Sequence, residues 1–155
     1  MTSIQSEHFT KALLILLDET FEHVQGFYLD GGTSLFETLA AISAEQASKP
    51  VGGKCASLAA QVKHTAFYLQ VVVQSVTNPD YPGADWGEIW QSVEAVSTAE
   101  WLEIQSELRA SYEQIKLLIV NAPGWNSERE IGGAMGVLAH TAYHLGEIRQ
   151  ALCLL

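Results

Sequence analysis

The stretch SEHFTKALLILLDETFEHV at residues 6–24 decides the fold class, because its apolar residues recur with the period of an α-helix. The stripe that they form consists of Phe9, Leu13, Leu16, Leu17, Thr20, Phe21 and Val24. Charged side chains such as Lys11, Asp18 and Glu22 fall on the opposite side of the helical wheel. One apolar face and one charged face are typical of a helix that packs against a protein core.

Helical periodicity continues outward from this stretch, and no run of alternating apolar and polar residues predicts a strand. The long helical segments are residues 6–24, 54–77, 97–120 and 128–154, separated by breaks rich in Gly, Pro and Asn. A short helix is predicted after Thr33 or Ser34, where Glu37 is placed to complete a capping box. We therefore predict an all-α protein in which residues 1–155 form a single domain, a four-helix bundle with long, partly helical connections.

Composition and charge narrow the partners that the protein is expected to bind. Of the 155 residues, 48% are hydrophobic and 17% are charged, which is typical of a folded domain. The net charge of −10 repels phosphate backbones, so we expect no nucleic acid partner. The longest aliphatic run, ALLILL at 12–17, is too short to span a membrane, and the polar N-terminus is unlike a signal peptide. Two isolated cysteines, Cys55 and Cys153, favour a reduced, cytoplasmic location.

Three histidines are candidate metal ligands. His140 and His144 stand four residues apart, a spacing that brings two ring nitrogens to one face of a helix. His64 lies on a mostly small and apolar face of the second segment, so it is expected to point inward and supply a third ligand. Three imidazoles with an open fourth position are typical of catalytic zinc sites, whereas the alternative is that each ring is a core side chain with one hydrogen bond. His8 and His23 fit the apolar faces poorly and are interpreted as structural or exposed.

Glu147 is the candidate catalytic residue, because it shares the helix face of His140 and His144. Its carboxylate is placed to act as a general base, to orient a histidine or to bind the ion directly. The alternative is a solvated side chain at the edge of the last helix. Trp86 and Trp90, four residues apart, either roof a pocket or pack their loop onto the helices.

Four motifs occur together along the chain: ETFEHVQGFYLDGGTSLFETLAAISAEQASKP at 19–50, QVKHTAFYLQ at 61–70, ADWGEIW at 84–90 and VLAHTAYHLGEIRQAL at 137–152. In this combination the chain resembles the DinB-like (YfiT-like) metalloenzymes, a bacterial group of four-helix bundles. The resemblance implies a homodimer and a divalent ion, zinc or nickel, held by His64, His140 and His144. Glu147 stands where many relatives have Gln, which leaves its role open.

Two kinds of function follow from the residues and the resemblance. One is a metal-dependent enzyme, in which the ion makes a nucleophile of water or of a thiol near neutral pH. Such an enzyme would be a hydrolase or a thiol-dependent S-transferase, and its partner would be a small-molecule substrate, with a low-molecular-weight thiol among the candidates. The other is a non-enzymatic, dimeric helical protein whose histidines are structural.

Overall fold

A computed structural model describes residues 4–50, 55–87, 90, 93 and 95–155, and the regular structure within these residues is helical throughout. The helices are α1 Ser6–Phe21, α2 Leu35–Ala40, α3 Ala44–Ala47, α4 Leu58–Thr77, α5 Thr98–Val120 and α6 Glu128–Leu152. The prediction of an all-α protein is confirmed. The connection from α1 to α4 contains α2 and α3, so it is partly helical, as expected.

The helices begin where side chains can satisfy the free N–H groups of a first turn. Ser97 accepts a hydrogen bond from the backbone N–H of Glu100, whose carboxylate accepts one from the backbone N–H of Ser97 at 2.7 Å. Ser127 and Glu130 form the same reciprocal pair at the start of α6. Each such cap stabilises a helix by about 1 kcal/mol, which accounts for the agreement with the predicted starts. By contrast, α4 begins only at Leu58, four residues after the predicted start.

Helix α1 ends at Phe21, three residues before the predicted end at residue 24. The buried carboxylate of Glu19 accepts hydrogen bonds from the backbone N–H groups of Phe27, Tyr28 and Leu29, at 2.7 to 2.9 Å. Burial by itself raises the pKa of Glu19, but these backbone hydrogen bonds hold it below its ordinary value. The chain reverses at Gly26, whose φ of 88° favours glycine. The buried carboxylate therefore ends the helix and folds the next segment back onto it.

The four long helices contact one another in a closed order, in which α1 contacts α5 and α6 and α4 contacts the same two helices. At the centre, the rings of Phe21 and Tyr112 stack with their centroids 4.1 Å apart, and both side chains are almost fully buried. The indole N–H of Trp101 donates to the carbonyl oxygen of Ile42 at 2.8 Å and ties α5 to the segment after α2. Among the described residues, no helix combines the length and apolar character that crossing a membrane requires.

Candidate metal centre

The contact between α4 and α6 brings together the three histidines that the sequence analysis singled out. One ring nitrogen from each of His64, His140 and His144 lies within 4.8 Å of the other two. The ring centroid of His64 is 5.3 Å from that of His140 and 4.9 Å from that of His144. The rings are tilted or edge-on rather than stacked, so their nitrogens are free to converge on a common point. The arrangement is compatible with a metal site.

Two nitrogens of this cluster are buried and have no hydrogen-bond partner among the described residues. They are Nδ1 of His64 and Nε2 of His140. Leaving a buried polar atom unpaired costs about 1–3 kcal/mol, so a cluster with two such atoms is unfavourable without a further partner. A cation held by their lone pairs would satisfy both. The donor set therefore fits a divalent ion that accepts imidazole ligands.

The third histidine is oriented by Glu147. Nδ1 of His144 lies 2.8 Å from Oε2 of Glu147, three residues further along α6. With its hydrogen on Nδ1, the His144 ring donates a hydrogen bond to the carboxylate, and the lone pair of Nε2 is left free to bind a metal ion. Of the roles predicted for Glu147, this geometry favours the orientation of a histidine. A carboxylate behind a ligating imidazole also raises the basicity of that ligand.

Aromatic rings pack against the other two histidines. The Trp90 ring stacks on His64 with centroids 4.1 Å apart, and the Tyr68 ring stacks on His140 at 3.8 Å. Trp86 packs edge-on against Phe67 at 5.6 Å. These contacts restrain the orientations of the His64 and His140 rings. Trp90 itself thus covers one face of the His64 ring.

Burial keeps the three histidines in their neutral form. It lowers the pKa of His64 and of His140 to about 4, with a further contribution from the neighbouring imidazoles. It also lowers the pKa of His144, although Glu147 opposes that shift. The neutral imidazole is the form that binds metal. Protons therefore compete only weakly with a metal ion for these three side chains near neutral pH.

The metal-free protein should lose stability as the pH falls from about 6.5 to about 4. In the unfolded chain these histidines titrate near 6.5, whereas His64 and His140 titrate near 4 in the folded protein. The unfolded state therefore binds more protons in this window, and the contribution to stability is complete only above it. Urea unfolding at several pH values, after removal of metal with a chelator, measures the slope of the free energy of unfolding against pH. A double variant, His64→Gln with His140→Gln, should show a shallower slope, and an unchanged slope would contradict this account.

An open cavity of about 570 Å³ adjoins the cluster and is large enough for a small molecule. Its lining consists of Cys55, Ala56, Gln61, Trp90 and Glu147. Trp90 stacks on His64 and Glu147 contacts His144, so the cavity reaches the edge of the histidine cluster. A separate apolar cavity of about 410 Å³, between the ends of α4 and α5 and the start of α6, is lined by none of the three histidines.

The remaining predictions for this region have definite outcomes. His8 and His23 are exposed, and neither belongs to the cluster, as expected. Trp90 had loop packing as one of its two interpretations, and its stacking on His64 could not be found from spacing alone. Spacing places Gln61 on the face of His64, one turn before it, but does not predict that its side chain is buried beside the cluster.

The geometry defines a candidate metal centre of three histidines, built from two packed helices. No protein-family model, curated protein or solved structure matches this chain. The similarity to the DinB-like metalloenzymes accordingly rests on the sequence motifs alone.

Proposed function

We propose that His64, His140 and His144 hold a divalent ion, zinc or nickel, at the active centre of a metal-dependent enzyme. The observation that carries the proposal is the convergence of three ring nitrogens within 4.8 Å. Two of these imidazoles also have a buried nitrogen without a hydrogen-bond partner in the described part of the chain. Three neutral imidazoles leave at least one coordination position for another ligand, and open positions distinguish catalytic sites from structural ones.

The proposal extends to the class of protein. We infer a single-domain, DinB-like four-helix bundle that acts as a homodimer in the cytoplasm. The closed order of contacts among α1, α5, α4 and α6 supports the bundle. The motifs at 19–50, 61–70, 84–90 and 137–152 support the family.

A bound divalent ion would supply a Lewis acid that lowers the pKa of a water or of a thiol. Glu147 holds His144 in a single tautomer, while the stacked rings of Trp90 and Tyr68 restrain His64 and His140. The cavity beside Glu147 admits a small-molecule substrate, and a low-molecular-weight thiol is one candidate. Screening bacillithiol and glutathione with an electrophile, against a panel of hydrolysable esters and amides, distinguishes S-transfer from hydrolysis.

The alternative is a non-enzymatic helical protein with structural histidines. Buried structural imidazoles normally have a hydrogen-bond partner for each polar atom. His64 Nδ1 and His140 Nε2 have none among the described residues, so the metal centre accounts better for the arrangement.

Metal analysis of the purified protein tests the proposal. The wild-type protein should contain about one divalent ion per chain, as expected for one site with a single ligand set. The variant His140→Ala should contain far less, because it removes one of three ligands. His23→Ala, which alters an exposed histidine, is the control and should match the wild type. Equal and negligible metal in all three proteins would contradict the proposal.

Replacing Glu147 should weaken metal binding without abolishing it. Glu147→Ala removes the acceptor for His144 Nδ1 and should raise the dissociation constant by about 10–100-fold, the usual effect of losing such a partner. Glu147→Gln keeps an acceptor oxygen and should have a smaller effect. Competition with a chromophoric chelator measures both constants. Glu128→Gln, an exposed site on α6, is the control, and an effect of that size there would contradict the assigned role.

A further inference from the structure

Some of the buried polar atoms without a hydrogen-bond partner belong to residues other than the proposed metal ligands. Among the described residues, four buried side-chain atoms have no hydrogen-bond partner, and they lie on only two helices, α4 and α6. These atoms are Gln61 Oε1, His64 Nδ1, His140 Nε2 and Thr141 Oγ1. An ion would satisfy the two histidine nitrogens but leaves the Gln61 amide oxygen and the Thr141 hydroxyl without a partner among the described residues, and of these two residues only Gln61 lines the cavity beside the cluster.

Gln61 occupies a position that connects the cavity with the histidine cluster. It lies on α4 one helical turn before His64, so the two side chains share a face. Its side chain lines the cavity together with Trp90, which stacks on His64, and Glu147, which contacts His144. Only 8% of Gln61 is exposed. Gln61 is therefore a buried residue that lines the cavity and shares a helix face with His64.

The energetics of Gln61 indicate a hydrogen-bond partner beyond the described residues. A buried carbonyl oxygen without a donor is unfavourable, and an apolar side chain of similar size would avoid that cost. Gln74, an exposed glutamine on the same helix, has no such cost because water satisfies its amide. An amide carbonyl can only accept a hydrogen bond, so the partner of Gln61 Oε1 must donate one.

We propose that Gln61 determines the ligand specificity of the metal centre. Its side-chain oxygen accepts a hydrogen bond from an N–H or O–H group of the molecule that occupies the coordination position left open by the three histidines. The inference rests on the proposed metal centre. It defines a ligand class: small molecules that carry a hydrogen-bond donor beside the atom that binds the ion, such as hydroxamates and amides.

Two probes that differ in this respect test the inference. Acetohydroxamate carries an N–H group beside its metal-binding oxygens, whereas azide carries no donor. Both are titrated into the Co²⁺-loaded protein, and the visible absorption of the ion reports their affinities. In Gln61→Met, which keeps the length but removes the acceptor, the acetohydroxamate-to-azide affinity ratio should fall about tenfold, the effect of one hydrogen bond of about 1.4 kcal/mol. Gln61→Glu retains an acceptor oxygen and should preserve the ratio.

Matched variants separate the possible failures. Gln74→Met changes an exposed glutamine of α4 and should leave the ratio within about twofold of the wild type. A Gln61→Met ratio that is also within about twofold of the wild type would overturn the inference, as would equal weakening of both probes. Gln61→Ala provides the same comparison if the Met side chain disturbs packing. Absence of Co²⁺ binding by the wild-type protein would instead overturn the proposed metal centre itself.

Discussion

Adding zinc or nickel should raise the melting temperature of the metal-free wild-type protein, and this response should vanish when His64, His140 and His144 are all replaced by Gln. A ligand that binds only the folded state stabilises it by about 2.7 kcal/mol at a concentration one hundred times its dissociation constant. For a domain of this length, that corresponds to a rise of roughly 5–10 °C. The three imidazoles converge only in the folded protein, so the unfolded chain offers no comparable site.

Differential scanning fluorimetry with and without metal provides the measurement. The matched control replaces the exposed residues His8 and His23 by Gln and should respond to metal as the wild type does. A metal response of the same size in the triple variant would show that the stabilisation arises elsewhere in the chain. An absence of response in the wild type would favour the interpretation of the histidines as structural.

Replacing Phe21 by Ala should destabilise the protein by about 3–5 kcal/mol, a large part of the 5–15 kcal/mol that holds a typical domain together. Phe21 is fully buried, and it stacks on Tyr112 of α5 while it also packs against Phe36 of α2. Its removal leaves a cavity where three helices meet. The surrounding rings cannot close that cavity without losing their own contacts.

Urea unfolding of the metal-free protein measures this change as a shift in midpoint. Phe27→Ala is the matched control, because Phe27 is 64% exposed and its truncation should alter stability by no more than about 0.5 kcal/mol. Similar losses in the two variants would mean that the Phe21 site is not a central part of the core. Metal affinity should change little in either variant while the protein remains folded, since neither ring contacts the histidine cluster.

Local sequence predicted the helices best where one residue decides the boundary. The predicted starts at residues 97 and 128 lie within one residue of the observed starts of α5 and α6, where the side chains of Ser97 and Ser127 cap the first turn. The end of α1 was predicted less well. It depends on the Glu19 carboxylate, whose hydrogen bonds reach Phe27 and Leu29, and periodicity carries no information about contacts that cross a reversal of the chain.

The candidate site divides in the same way. The spacing of His140 and His144 is a property of the helix itself, because the α-helical period places residues four apart on one face. Sequence therefore determined that two imidazoles lie together, and it placed Glu147 on their face. The side chain of Glu147 then reaches His144 within the same turn of α6.

Only the tertiary structure decided that His64 meets this pair and that Trp90 stacks on His64. It also decided that the buried Gln61 oxygen has no hydrogen-bond partner among the described residues. These relations depend on how α4 packs against α6 and on where Trp90 lies against α4. Such packing is determined by the fit of many side chains in the core, and each contributes too little to be read from its neighbours in sequence. The helical period thus determined that His140, His144 and Glu147 share one face, and core packing brought His64 to them.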